Sequence, residues 1–197
     1  MRLAIFPIVA ALATLPVGMS DAFGDSARGL VPEKGEFRRS GLTLGIAAGP
    51  SAAIEFGSLV DVNGVGAGPS LRIGTTAGER LVWLMQLDGA AYLFSAEDDE
   101  VGVNQLGVLS LAGQVYALDA LWIKGGLGFA NYRQQVRRQI KLDPVDENKG
   151  IGILAGVGLD LYQEGAIAIG LEASLTTVIV GDGVILQGWS GLGVHMY

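Results

Sequence analysis

Residues 152–162, GILAGVGLDLY, alternate with a period of two. Ile153, Ala155, Val157, Leu159 and Leu161 occupy the odd positions, and Gly152, Gly156, Gly158, Asp160 and Tyr162 the even ones, with Leu154 as the exception. A β-strand sends successive side chains to opposite faces, whereas a helix would separate Leu159 from Leu161. The pattern returns in 167–179, where Ile167, Ile169, Leu171, Leu175 and Ile179 oppose Gly170, Glu172, Ser174 and Thr176. It returns again in 121–132, where Leu121, Ile123, Leu127 and Phe129 oppose Lys124, Gly126, Gly128 and Tyr132.

The second face decides what such strands can build. In a soluble antiparallel sheet one face meets the core and the other, in water, carries many charges. Here the second face is mostly Gly, Ala, Ser, Thr, Gln and Tyr, with about one charge per strand. Charged residues make up 17% of the chain, against about 25% in ordinary soluble domains. Such a face is too poor in charge for water and well suited to the crowded interior of a narrow barrel. The apolar face then points outward to lipid.

Eight runs carry the alternation, near 41–54, 63–75, 79–94, 102–117, 120–134, 149–163, 165–180 and 184–197. Tight turns are expected at Ala77-Gly78, Asp119-Ala120 and Glu164-Gly165. Longer polar connections are expected at 55–62, at the acidic SAEDDE of 95–100 and at 133–149, while that around Gly181-Asp182-Gly183 is short. Each run meets the 9–11 residues that a tilted membrane strand needs. An even number of antiparallel strands closes without an edge, so every backbone polar group finds a partner in hydrocarbon.

Three tracts, LWIKGGLGFANYR (121–133), GIGILAGVGLDLY (150–162) and WSGLGVHMY (189–197), give the chain a resemblance to small eight-stranded bacterial outer-membrane β-barrels. That group includes the outer-membrane protein A-type and X-type barrels. The resemblance implies an all-β, eight-stranded, antiparallel up-and-down transmembrane barrel in the cell outer membrane, surrounded by outer-membrane lipid and lipopolysaccharide. It also implies recognition by the barrel-assembly machinery through a terminal aromatic residue. Tyr197 is terminal, but His195 stands two positions before it, where such barrels carry an apolar residue, and the phase points Met196 to lipid.

Residues 1–22 read as a secretory signal: Arg2 begins it, Leu3 to Val17 form the apolar stretch, and Ser20-Asp21-Ala22 offer small cleavage-site residues. Residues 23–40 are polar and aperiodic and read as a flexible arm, with Arg38-Arg39 as a solvated or membrane-surface pair. The barrel domain is 41–197.

Zero Cys excludes a disulfide scaffold, a thiolate metal site and a cysteine nucleophile, and the net charge of −7 argues against a nucleic-acid partner. Gly150-Ile-Gly152-Ile-Leu-Ala155 spells a dinucleotide-binding fingerprint, but it follows a polar loop and opens a strand rather than a helix. His195 is the sole histidine and lacks a neighbouring nucleophile. SAEDDE lacks the spaced ligands of a calcium loop. No cofactor, no metal and no catalytic group are expected.

The alternation projects Arg72, Gln86, Asp88, Gln114, Lys124, Asp160 and Glu172 inward, together with Ser110, Ser174, Tyr92 and Tyr132. Ions in a narrow interior must be paired, so these form a salt-bridge and hydrogen-bond plug. Arg133, Arg137, Arg138 and Lys141 lie in the long 133–149 connection as candidates for binding an anionic partner. The main functional expectation is a non-enzymatic barrel with a structural or surface-interaction role. A narrow channel or carrier for small polar or amphipathic molecules, and a soluble periplasmic lipocalin-like barrel, are the alternatives.

Overall fold

The computed structural model describes residues 39, 41–57, 64–95, 101–138, 141–181 and 183–197. The proposed signal and all of the arm except Arg39 lie outside them, as does most of SAEDDE. Eight strands follow one another: β1 Leu42–Gly57, β2 Gly64–Thr76, β3 Leu81–Ser95, β4 Val101–Tyr116, β5 Leu121–Arg138, β6 Lys141–Glu164, β7 Ile167–Val180 and β8 Gly183–Met196. Each pairs antiparallel with the next, and β1 pairs with β8, closing the barrel.

The tight turns fall where the sequence placed them, between β2 and β3, β4 and β5, and β6 and β7. Gly165, at φ 57°, supplies the left-handed backbone of the last of these. At the other end the predicted long loop over 133–149 is instead a continuation of the sheet. Arg133 pairs with Glu147, Arg137 with Leu142 and Arg138 with Lys141, leaving only 139–140 between β5 and β6. The polar composition of this stretch hid its strand character, because a hairpin standing clear of the apolar belt needs no apolar face.

The apolar positions are exposed on the outside of the barrel, as the phase predicts. Leu44, Ile46, Leu71, Trp83, Leu111, Ile123, Leu127, Ile153, Leu171 and Leu192 all face outward, and Phe129 is 79% exposed. Among the described residues no helix is long and apolar enough to cross a membrane; the crossing is made by strands. The lipocalin-like alternative requires the reverse assignment and is overturned by this face.

Inside, two apolar clusters flank a polar layer. The one towards the long-hairpin end contains Tyr92, Leu106, Val108, Tyr132, Val178, Val180 and Ile185. The one towards the tight-turn end contains Val82, Leu84, Tyr116, Trp122 and Leu154, with Tyr197 packed against it. The first of these is more apolar than a simple inward-polar rule expects. Glycine provides room for the large groups: a Cβ at Gly158 would stand 2.1 Å from the Trp122 ring. Trp122 therefore lies inside a wall that alternation alone would have called merely small.

One inward assignment is corrected. The β6–β7 register shifts between Asp160 and Tyr162, so the phase slips by one residue. Tyr162 is 41% exposed rather than inward, and its hydroxyl meets Glu164. Gln163 takes the inward direction in its place and donates to Asp160 Oδ2 at 3.0 Å.

Candidate functional site: the polar layers of the bore

The seven residues projected inward all line the bore, but they divide into two groups. Arg72 on β2, Gln86 and Asp88 on β3, Lys124 on β5 and Glu172 on β7 form the central layer. Arg72 Nη2 donates to Glu172 Oε1. Lys124 Nζ lies 3.3 Å from Glu172 Oε2 and donates to Gln86 Oε1 at 3.1 Å. The Gln86 amide then donates to both Asp88 oxygens at 2.8 and 2.7 Å. A continuous chain of polar contacts thus ties four strands together across the bore. The Arg72, Lys124 and Glu172 side chains are each only 1% exposed, so Coulomb attraction acts there with little screening.

Local sequence explains the placement. Arg72 and Gln86 are register partners on neighbouring strands, and Gln86 is the partner of Ser110, whose hydroxyl donates to the Gln86 carbonyl. Gly156 faces Lys124 across the β5–β6 pair, and a Cβ there would stand 2.7 Å from Lys124 Cε. Trp122 forms one wall of the layer, 5.3 Å from Lys124 Nζ and 5.8 Å from the Arg72 guanidinium. His195 sits against Trp122 with ring centres 6.0 Å apart. Buried between aromatic rings, it packs the bore.

Gln114 and Asp160 belong to a second group at the tight-turn mouth. Gln114 donates to the Tyr116 hydroxyl at 3.0 Å, and that hydroxyl donates to Asp160 Oδ2 at 3.4 Å. Trp122 Nε1 donates to Asp160 Oδ1 at 3.1 Å. Tyr116 also meets the Tyr197 hydroxyl, so the terminal aromatic turns inward while Met196 faces out. Arg39, expected to be solvated, reaches this group: its Nη2 is 3.8 Å from Asp160 Oδ2 and donates to the Asp119 carbonyl. The inward alternation counts two cations against three anions. Arg39 adds a third cation, at the mouth, from outside the sheet.

Alternation alone does not mark Trp122, Tyr116, Tyr197, Gln163 and Arg39 as site residues. For Trp122 and Tyr116 the signal was present, since they share the phase of Lys124 and Gln114. For Gln163 and Arg39 no periodic signal exists, because one follows a bulge and the other precedes the first strand.

At the opposite end Arg133 Nη2 donates to Glu147 Oε2 at 3.1 Å, and Asn131 donates to Glu147 Oε1 at 3.4 Å. Held by Arg133, first through the hydrogen bond and then through its charge, the Glu147 carboxyl ionises below its ordinary range. The side chains of Arg137, Arg138 and Lys141 lie outside the described residues; only their places on the hairpin are fixed.

Fold and bore together define a closed, eight-stranded transmembrane β-barrel whose interior is filled by its own side chains. Its fold is that of the small outer-membrane barrels. The chain is similar to the attachment invasion locus protein of Yersinia pestis at 14% identity and TM-score 0.59, over 80% of this chain and 99% of that one. It is similar to Neisserial surface protein A at 14% identity and TM-score 0.54, over 80% and 97% of the two chains. No protein-family model and no curated protein sequence matches the chain.

Proposed function

We propose that this chain is a non-enzymatic barrel of the outer membrane that works as a surface-interaction element. In this reading residues 1–22 export it, 23–40 form an arm, and the barrel-assembly machinery inserts 41–197 among outer-membrane lipid and lipopolysaccharide. The observation that carries the reading is the combination of a cross-linked bore with a long outer hairpin. Arg138 stands nine residues beyond Phe129, the last apolar residue on the outward phase of β5, so the β5–β6 hairpin continues roughly 30 Å along the strand past the apolar outer face at about 3.3 Å per residue. A narrow channel or carrier needs a continuous path, and the contacts from Arg72 to Glu172, Lys124 and Gln86 span that path.

The hairpin carries Arg133, Arg137, Arg138 and Lys141, which suit a polyanionic partner such as lipopolysaccharide or a sulfated glycan. The similar Yersinia pestis protein has been solved with the heparin analogue sucrose octasulfate, which makes that compound a suitable probe. The test is retention of the full-length chain, in vesicles of neutral lipid, on immobilised heparin with sucrose octasulfate as competitor. We expect salt-sensitive retention that Arg137→Glu with Arg138→Glu abolishes while the barrel stays folded. Equal retention of both forms would refute the hairpin as the interaction surface.

A further inference from the structure

The tight-turn mouth holds an arrangement that a filled barrel wall does not require. Three separate segments converge there: Tyr116 and Asp119 where β4 runs into the β4–β5 turn, Asp160 near the end of β6, and Tyr197 after β8. Between them they offer two aromatic rings, one carboxylate and one backbone carbonyl. The Asp160 side chain is fully shielded from solvent and accepts from Trp122, Gln163 and Tyr116. These three neutral donors leave its negative charge to be met by a cation.

The Arg39 guanidinium carbon lies 3.5 Å from the centre of the Tyr116 ring and 5.7 Å from that of Tyr197. The same group reaches Asp160 and the Asp119 carbonyl. Stacking on a ring while donating in its own plane suits a guanidinium. An ammonium, compact and strongly hydrated, meets these demands poorly. Arg39 comes from outside the sheet, joined to β1 through Gly41, whose N–H donates to Thr76 Oγ1 at 2.8 Å.

We propose that this mouth is a guanidinium-binding cage, built from Tyr116, Asp119, Asp160 and Tyr197, which the chain fills with its own Arg39. The occupied cage closes the turn end of the bore and fixes where the N-terminal arm leaves the barrel. Emptied of Arg39, it accepts another alkylguanidinium, including the arginine side chain of a peptide. The proposal is independent of which compartment the turns face and of what the hairpin binds.

Chemical rescue tests it. The full-length chain carrying Trp83→Phe and Trp189→Phe keeps Trp122 as its one indole, and that indole is bonded to Asp160. In detergent-folded protein, R39A should shift Trp122 emission. Ethylguanidinium should reverse the shift saturably, ethylammonium at equal concentration should not, and the Arg39-containing protein should not respond. Adding Asp160→Asn to R39A should abolish the rescue. Equal effects of the two cations, no emission change in R39A, or an equal response with Arg39 present would each overturn the proposal. Should R39A fail to fold, trypsin cleavage after Arg39 decides. A cation–π contact of about 1–2 kcal/mol predicts cleavage roughly tenfold slower in the wild-type chain than in Y116A. Equal rates would refute the cage.

Discussion

Substituting Glu172 by Gln leaves Arg72 and Lys124 buried together with their shared anion gone. At 3.3 Å and an effective dielectric of about 20, the Lys124–Glu172 attraction alone is roughly 5 kcal/mol before desolvation is counted. Removing one partner of a buried ion pair typically costs about 3–5 kcal/mol, because the remaining charge stays desolvated. The central layer has two such cations, so the effect should reach at least the lower figure. Urea unfolding from lipid vesicles, followed by the folded band on an unheated detergent gel, reads it directly. With a denaturant slope of about 1–3 kcal/mol per molar, a loss of about 3 kcal/mol lowers the midpoint by roughly 1–3 M. Replacing Arg72 and Lys124 by Met together with Glu172→Gln removes the stranded charges and should restore much of the loss. An E172Q midpoint whose loss stays below about 0.5 kcal/mol, as for an ordinary surface change, would refute a paired, desolvated layer.

Gly158→Ala places a Cβ 2.1 Å from the Trp122 ring and should cost about 1–3 kcal/mol by overpacking. Trp122→Phe in the same chain should relieve it, as read by urea midpoint. Planar-bilayer recording of the wild-type barrel should show no steady conductance, because the central contacts cross the bore; a large, stable conductance would count against them. At the outer hairpin, carbon-detected titration should place the Glu147 carboxyl below the usual carboxylate range, and Arg133→Gln should raise it. What stability the Arg133–Glu147 pair adds is present above the unfolded carboxylate pKa and lost as pH falls through the lowered one.

The wall of the barrel was legible because a period of two with an uncharged second face admits few folds. Strand number, phase and tight turns followed from local chemistry. The 133–149 hairpin was not legible, since its residues satisfy strand pairing without burying an apolar face. Alternation misplaces Tyr162 because a bulge shifts phase without leaving a compositional mark. The polar layer could be projected residue by residue, yet its division into a central group and a mouth group depends on relative strand stagger, which one strand's alternation does not contain. Arg39 was beyond reach for another reason: its role comes from a tertiary contact of an aperiodic segment. The small residues of the second face mark a crowded interior without saying which side chains fill it; at Gly158 and Gly156 they make room for Trp122 and Lys124.

Three tryptophans report on whether the barrel is apolar outward and polar inward. Trp83 is 56% exposed on the outer wall, whereas Trp122 and Trp189 are buried inside it. Single-tryptophan variants of the full chain, folded into vesicles of bromine-labelled lipid, distinguish the two sides by quenching. An apolar outer wall requires strong quenching of Trp83 and little of Trp122 or Trp189. Quenching of Trp122 with Trp83 spared would reverse the phase and contradict it.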